Sequence, residues 1–206
     1  MLYSGICHTD VHLAGNDMGS TIYPIVPGHE LLGVVTEVGS KVTKFKVGDY
    51  VGVGCIVDSC LDCEWCKEGD EQYCDKGMTM TYGNPKKYGR VPGDSNLTTF
   101  GGYSGSNVVD ERFCLKIPSN LPLEKTAPIL CAGITMWDPL RQWGATKGKK
   151  MTIGVVGVGG LGTMGIKLSK ALGHDVVAIS TSVGKEDISR EKGATHFCVS
   201  TDPLSI

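Results

Sequence analysis

The apolar positions of this chain change their spacing near Pro118. Between Pro24 and Pro118, runs rich in β-branched residues, Leu31 to Val38 and Val47 to Val57, alternate with the turn pairs Gly39-Ser40 and Gly48-Asp49. That pattern predicts short strands broken by tight turns. The 84–107 stretch carries Asn84-Pro85, Pro92-Gly93 and Gly101-Gly102, which predicts a loop and then a strand starting at Tyr103. Beyond Pro118 the spacing becomes helical: Leu121 to Ala132 and Thr135 to Trp143 predict helices, and Lys147 to Lys150 a solvated turn.

Met151 to Gly157 is a continuous apolar run, of the kind buried on both faces of a parallel sheet. Leu161 to Leu172 follows at helical spacing and stops at Gly173. Val176 to Ile179 then predicts a strand, Lys185 to Glu191 a helix and His196 to Val199 a third strand. This βαβαβ order is half of a dinucleotide-binding Rossmann fold. The expected class is α/β plus β. Residues 1–117 form a β-rich domain, and residues 118–206 the first half of a doubly wound parallel sheet.

Composition narrows the function. The 206-residue chain has 41% apolar content, enough for a real core, and a formal net charge of −2. That charge gives no footprint for nucleic acid or an anionic membrane, and no apolar run reaches spanning length. Nine cysteines and no charged-then-apolar leader favour reduced thiols and a cytoplasmic setting.

Four of those cysteines are Cys60, Cys63, Cys66 and Cys74, spaced Cys-x₂-Cys-x₂-Cys-x₇-Cys among acidic and basic neighbours. A polar loop so rich in thiols suits a closed, tetrahedral, structural zinc. Two disulfides, an iron–sulfur cluster and bare thiols remain alternatives. Neighbours this close bridge poorly, and the ferredoxin run ends in Cys-Pro, whereas Asp75 follows Cys74.

Gly157-Val158-Gly159-Gly160-Leu161-Gly162 matches Gly-x-Gly-x-x-Gly between a buried strand and a helix. In that context it predicts a pyrophosphate cradle at a helix N-terminus, against the alternative of a plain glycine-rich turn. Where an NAD-selective site places a carboxylate, this chain has Ser180-Thr181-Ser182, with Lys185 just beyond. Hydroxyls and an ammonium can receive a 2′-phosphate, so NADP(H) is the expected cofactor.

Three further elements lie far apart: Gly5-Ile6-Cys7-His8-Thr9-Asp10, Pro27-Gly28-His29-Glu30 and Cys131-Ala132-Gly133-Ile134-Thr135. Taken singly, a lone Cys or His is more often a packed core residue. In this order, with the four-cysteine lobe and the glycine loop, the chain resembles the zinc-dependent medium-chain alcohol dehydrogenases, and among them the NADP-dependent cinnamyl-alcohol dehydrogenase group. That resemblance implies a GroES-like catalytic domain and two zinc ions per chain. The catalytic zinc would be held by Cys7, His29 and Cys131, with Glu30 as an alternative fourth ligand. Thr9 would bond the substrate oxygen and touch the cofactor, His12 would pass the proton to solvent, and Thr135 would lie near the nicotinamide. The full-length form would be a homodimer acting on a small alcohol or aldehyde.

Within the same resemblance, Met1 reads as an internal start and Ile206 as an early stop, so this chain alone would be a weak or inactive enzyme. Thr79 stands where aryl-alcohol members carry Trp, which favours a broader aldehyde reductase. The rivals are a non-enzymatic nucleotide-binding zinc protein, an inert truncated product, and a sugar or polyol dehydrogenase. Cys55, Cys114 and Cys198 read as small apolar fillers, His8 as a bystander, and His174 and His196 as solvated.

Overall fold

The computed structural model describes residues 1–90 and 98–202, so the Pro92-Gly93 turn lies outside the described residues. The chain forms two compact units, Met1–Cys131 and Ala132–Ile206.

In the first unit β1 (Tyr3–Ser4) leads into α1 (His8–Gly15), and β2 (Leu31–Val34), β3 (Tyr50–Val53) and β4 (Ile56–Asp58) follow. Next come α2 (Glu64–Glu68), β5 (Thr79–Met80), β6 (Leu115–Lys116) and α3 (Leu123–Thr126). The strands form an antiparallel sheet in the order β1-β2-β3-β6 and a separate β4-β5 ribbon. Strand β2 is buried on both sides. Leu31 packs with Phe45, Val53, Val57 and Cys114, while Leu32 points to the opposite face, against Ile117 and Ala127.

The first unit departs from the predicted elements at three places. The Val47–Val57 run is two strands interrupted at Gly54-Cys55. A Cβ on Gly54 would lie 2.9 Å from the Leu130 carbonyl oxygen, so the break coincides with a close backbone approach. No strand starts at Tyr103; its N–H donates to Pro27 O at 3.0 Å within a bend. The predicted Leu121–Ala132 helix is a short α3 followed by a 3₁₀ turn over Ala127–Leu130, where Pro128 supplies no amide hydrogen.

The second unit runs α4 (Ala132–Gln142), β7 (Thr152–Val156), α5 (Gly160–Ala171), β8 (Asp175–Ser180), α6 (Glu186–Lys192) and β9 (His196–Val199). Its strands are parallel in the order β7-β8-β9. Val155, Val176 and Ala178 pack with Ile166 of α5 and Ile188 of α6. Burial of β7 on both faces is not observed: Val156, on the other pleat, is 80% exposed. His174 is buried, not solvated. Its Nδ1 accepts the Met151 N–H at 3.2 Å and its Nε2 faces Ala145 O at 2.8 Å, which assigns the Nε2–H tautomer. Among the described residues no helix is long and apolar enough to cross a membrane.

Candidate metal centres and cofactor cradle

The loop carrying Cys60, Cys63, Cys66 and Cys74 brings all four sulfurs within 4.8 Å of one another. Leu61 adopts φ 58°, a left-handed conformation that turns the chain back on itself. The N–H groups of Asp62 and Cys63 then approach Cys60 Sγ at 3.5 and 3.3 Å. Those two donors pull the Cys60 thiol down to about 6, toward the thiolate a metal needs. Burial pushes Cys66 up to about 11, as expected for a sulfur enclosed by its own loop. Cys60 Sγ and Cys66 Sγ lie 3.8 Å apart, and all nine cysteines are free. A tetrahedron with zinc–sulfur bonds of about 2.3 Å has edges of about 3.8 Å, so the donor set fits zinc and leaves no position for a substrate.

The second cluster is assembled from distant segments. The ligand atoms of Cys7, His29, Glu30 and Cys131 also lie within 4.8 Å of one another, and all but half-buried Cys7 are buried. Two thiols, an imidazole and a carboxyl suit zinc in chemistry and number. Asp10 organises them. Its Oδ1 accepts from the Gly28 N–H at 3.0 Å and faces His29 Nδ1 at 3.0 Å. Its Oδ2 accepts from the Cys7 N–H at 3.0 Å and from Tyr103 Oη at 2.9 Å. The Cys7–Asp10 contact is also the capping box that starts α1. One 3%-exposed carboxylate thereby fixes both Cys7 and His29 and turns His29 Nε2 toward Cys131 Sγ, 3.3 Å away.

The charges agree. Burial works against charge at both members of the pair, yet the hydrogen bond from His29 holds the Asp10 carboxyl well below the carboxylate range. Against the same burial, Asp10 and Cys131 raise His29 to about 11, so the cluster favours positive charge at this point. Burial raises the Glu30 carboxyl. A Cβ on Gly5 would lie 1.7 Å from Glu30 Oε2, so only glycine leaves room for that carboxylate.

A cavity of about 220 Å³ opens on this cluster, with Thr9, His29, Cys55 and Cys131 at the cluster end and Leu13, Ile25, Met80 and Tyr82 among the other walls. Thr9 Oγ1 accepts from Cys7 Sγ at 3.6 Å. Met80 lines the cavity, whereas Thr79 is fully buried beside it. Cys55, expected as filler, sits half-buried in the cavity wall, and contact with the Cys131 sulfur lowers its thiol. His12 lies one helical turn after Thr9 on α1, pairs with Asp17 at 2.8 Å, and stacks tilted on exposed His8 at 4.6 Å. Asp10 and Met80 were not singled out from sequence. For Asp10 the signal was there, since Cys-x-x-Asp is capping-box spacing at a helix start.

In the second unit Gly157 ends β7 at φ 87°, and α5 begins at Gly160. A Cβ on Gly162 would lie 1.7 Å from Gly157 O, so this glycine lets helix and strand close up. Gly159 and Gly160 face open space instead, as backbone that receives a ligand should; Val158 is buried in the core and Leu161 is exposed. This arrangement fits a pyrophosphate. At the end of β8, Ser180 is 9% exposed and its Oγ accepts the Ser182 N–H at 3.2 Å, while Thr181, Ser182 and Lys185 are exposed. Thr135 is exposed on α4.

Residues 1–119 match the family described as the alcohol dehydrogenase GroES-like domain. The chain is 51% identical over 202 residues to NADP-dependent alcohol dehydrogenase C 1 of Mycolicibacterium smegmatis, covering 98% of this chain and 55% of that protein. Among solved structures, it is similar to a cinnamyl alcohol dehydrogenase of Sorghum bicolor, with TM-score 0.91 and 46% identity over 98% of this chain and 56% of that one. A protein named CAD from Helicobacter pylori, complexed with NADP(H), matches at TM-score 0.89 and 43% identity, covering 100% of this chain and 56% of that one. The chain thus spans a little over half the length of these relatives.

Proposed function

The chain belongs to the alcohol dehydrogenase family built on the GroES-like domain, and from that premise we propose that the protein interconverts primary alcohols and aldehydes with zinc and NADP(H). The observation that carries this reading is the convergence of Cys7, His29, Glu30 and Cys131 at the end of a cavity. A binding module has no need of such an open donor set. We assign two zinc ions per chain, one to Cys60, Cys63, Cys66 and Cys74, and one to Cys7, His29 and Cys131 with Glu30 in reserve. When bound there, zinc supplies a Lewis acid that acidifies an alcohol or polarises an aldehyde, and the nicotinamide supplies or accepts the hydride.

The chain's own residues do the rest. His29 has its Nδ1 committed to Asp10, which leaves Nε2, facing Cys131 Sγ, as the atom that would ligate zinc. Thr9 Oγ1 lies at the cavity wall, positioned to hold the substrate oxygen and its proton. His12, half-exposed and paired with Asp17, can hand that proton to solvent. Leu13, Ile25, Met80 and Tyr82 exclude water from an apolar substrate tail. The Gly157–Gly162 loop receives the pyrophosphate, Thr181, Ser182 and Lys185 with Ser180 receive a 2′-phosphate, and Thr135 serves the nicotinamide.

The wider reading follows the sequence: a catalytic domain over 1–117, a nucleotide domain over 118–206, and broad aldehyde-reductase activity. It also includes a homodimer in the cytoplasm without nucleic-acid or membrane partners. Zinc analysis and an NADPH-consumption panel over aliphatic and aromatic aldehydes test the proposal. Cys131→Ala should retain the lobe zinc and lose turnover, and Ser180→Asp should shift preference toward NADH. Turnover unaffected by Cys131→Ala would overturn the assignment of the reaction to this cluster.

A further inference from the structure

The cysteine lobe is flanked by contacts from a segment outside the four-cysteine motif. Arg90 Nε donates to Asp58 Oδ1 at 2.8 Å, and Arg90 Nη2 donates to the Ser59 carbonyl. Asp58 and Ser59 immediately precede Cys60, and Asp58 is 1% exposed. On the far side, Tyr88 Oη donates to Lys76 O at 3.0 Å and approaches Gly77 O, just beyond Cys74. The same hydroxyl stands 4.0 Å from Cys74 Sγ. The Arg90 guanidinium lies 5.4 Å from the Tyr88 ring centroid, so the two side chains brace each other. Three residues, Tyr88-Gly89-Arg90, therefore tie down the chain just before the first cysteine and just after the last.

We propose that Tyr88 and Arg90 form a strap that holds the Cys60–Cys74 lobe closed and controls how fast its metal exchanges. The proposal rests on the zinc reading of that lobe. The four sulfurs sit on a loop whose own contacts are local, such as the Cys60 N–H to Cys74 Sγ at 3.5 Å and the Trp65–Tyr73 ring pair, so releasing a metal requires the two loop ends to part. The strap opposes that parting from both ends. Arg90 is suited to it because its planar fork presents Nε to the carboxylate and Nη2 to the carbonyl in one fixed geometry. Both residues act through the loop and are positioning residues.

The experiment follows zinc release from the metal-loaded protein to a chromogenic chelator at pH 7. The phase belonging to the lobe is identified as the one missing in Cys63→Ser. Arg90→Ala should speed that phase about tenfold, the scale on which outer contacts alter metal binding. Tyr88→Phe should speed it severalfold, and zinc release from Cys7, His29 and Cys131 should keep its rate in both variants. Arg141→Ala, which removes an exposed ion pair with Asp138 in the second unit, should leave both phases unchanged. Arg90→Ala leaves a buried carboxylate without its guanidinium; if that variant does not fold, Tyr88→Phe decides alone. A zinc-loaded lobe whose release rate is unmoved in folded Tyr88→Phe and Arg90→Ala overturns the strap and spares the metal reading. Equal acceleration of both phases also overturns it, because that is global loosening. A lobe that binds no zinc overturns both.

Discussion

The two cysteine clusters use similar donors and are built in opposite ways. The lobe draws its four sulfurs from fifteen consecutive residues, Cys60 to Cys74, and steers them with its own backbone N–H groups. The other cluster gathers Cys7, His29, Glu30 and Cys131 across most of the first unit, and it depends on a buried carboxylate to hold them. The first is a fold in miniature that a metal can complete. The second is a consequence of the fold, and it cannot exist before β1, β2 and α1 are packed. Spacing reveals the first kind of site. The second kind is visible only as scattered motifs.

The largest effect should come from breaking the local site. Cys63→Ser removes a candidate ligand that also begins α2. Structural zinc contributes folding free energy directly, on the order of 10 kcal/mol in small zinc domains, so several kcal/mol should be lost here. Mass spectrometry under native conditions should show one zinc fewer, and thermal melting should show a lower or split transition. An unchanged melting curve with one zinc missing would make the lobe a dispensable ornament and dissolve the contrast.

Legibility follows the same divide. The β7-α5-β8-α6-β9 order could be read directly, because strands and helices of a parallel unit alternate period within a few residues. Residues 60–74 could be read because their chemistry is contiguous. What escaped the sequence depends on contacts from elsewhere. The break at Gly54 coincides with Leu130 O, and Tyr103 is placed by Asp10 and Pro27. His174 looks polar and terminal but is bonded to two backbone groups inside the second unit. Asp10 lies within the Cys7–Asp10 stretch, but a carboxylate on a short helix usually faces solvent, so spacing alone does not mark it as buried.

A smaller but more discriminating effect is expected at Asp10. Asp10→Ala leaves His29 and the N–H groups of Cys7 and Gly28 without their acceptor. Breaking a buried pair costs about 3–5 kcal/mol, and losing such an outer contact lowers metal affinity about 10–100-fold. Only the dispersed cluster should lose zinc, while the lobe keeps its own. The milder Asp10→Asn tests the electrostatics. Because the Asp10 carboxyl is held below its ordinary value, it stabilises the fold fully above about pH 4 and less as the pH falls below that. Asp10→Asn should therefore flatten the acid limb of the stability–pH curve. Equal loss of zinc from both sites would mean the clusters are not independently built.

The smallest effect belongs to the glycine loop, which is as local as the lobe but gains its meaning from its neighbours. Gly162 and Gly159 occupy the same motif, yet the structure gives them different duties. Gly162→Ala would drive a methyl to within 1.7 Å of Gly157 O, and α5 must shift away from β7 to accept it. Overpacking of this kind costs about 1–3 kcal/mol. Gly159 meets nothing within 4 Å, so Gly159→Ala should leave the melting temperature within error of the parent. It should instead weaken NADPH binding, because the methyl stands where the pyrophosphate must approach the backbone. Calorimetry for stability and fluorescence titration with NADPH for binding separate the two readouts. A local motif would then divide into one residue serving the fold and one serving the ligand. If Gly159→Ala bound NADPH as tightly as the parent, the loop would be a packing turn only, unlike the two clusters proposed to hold zinc.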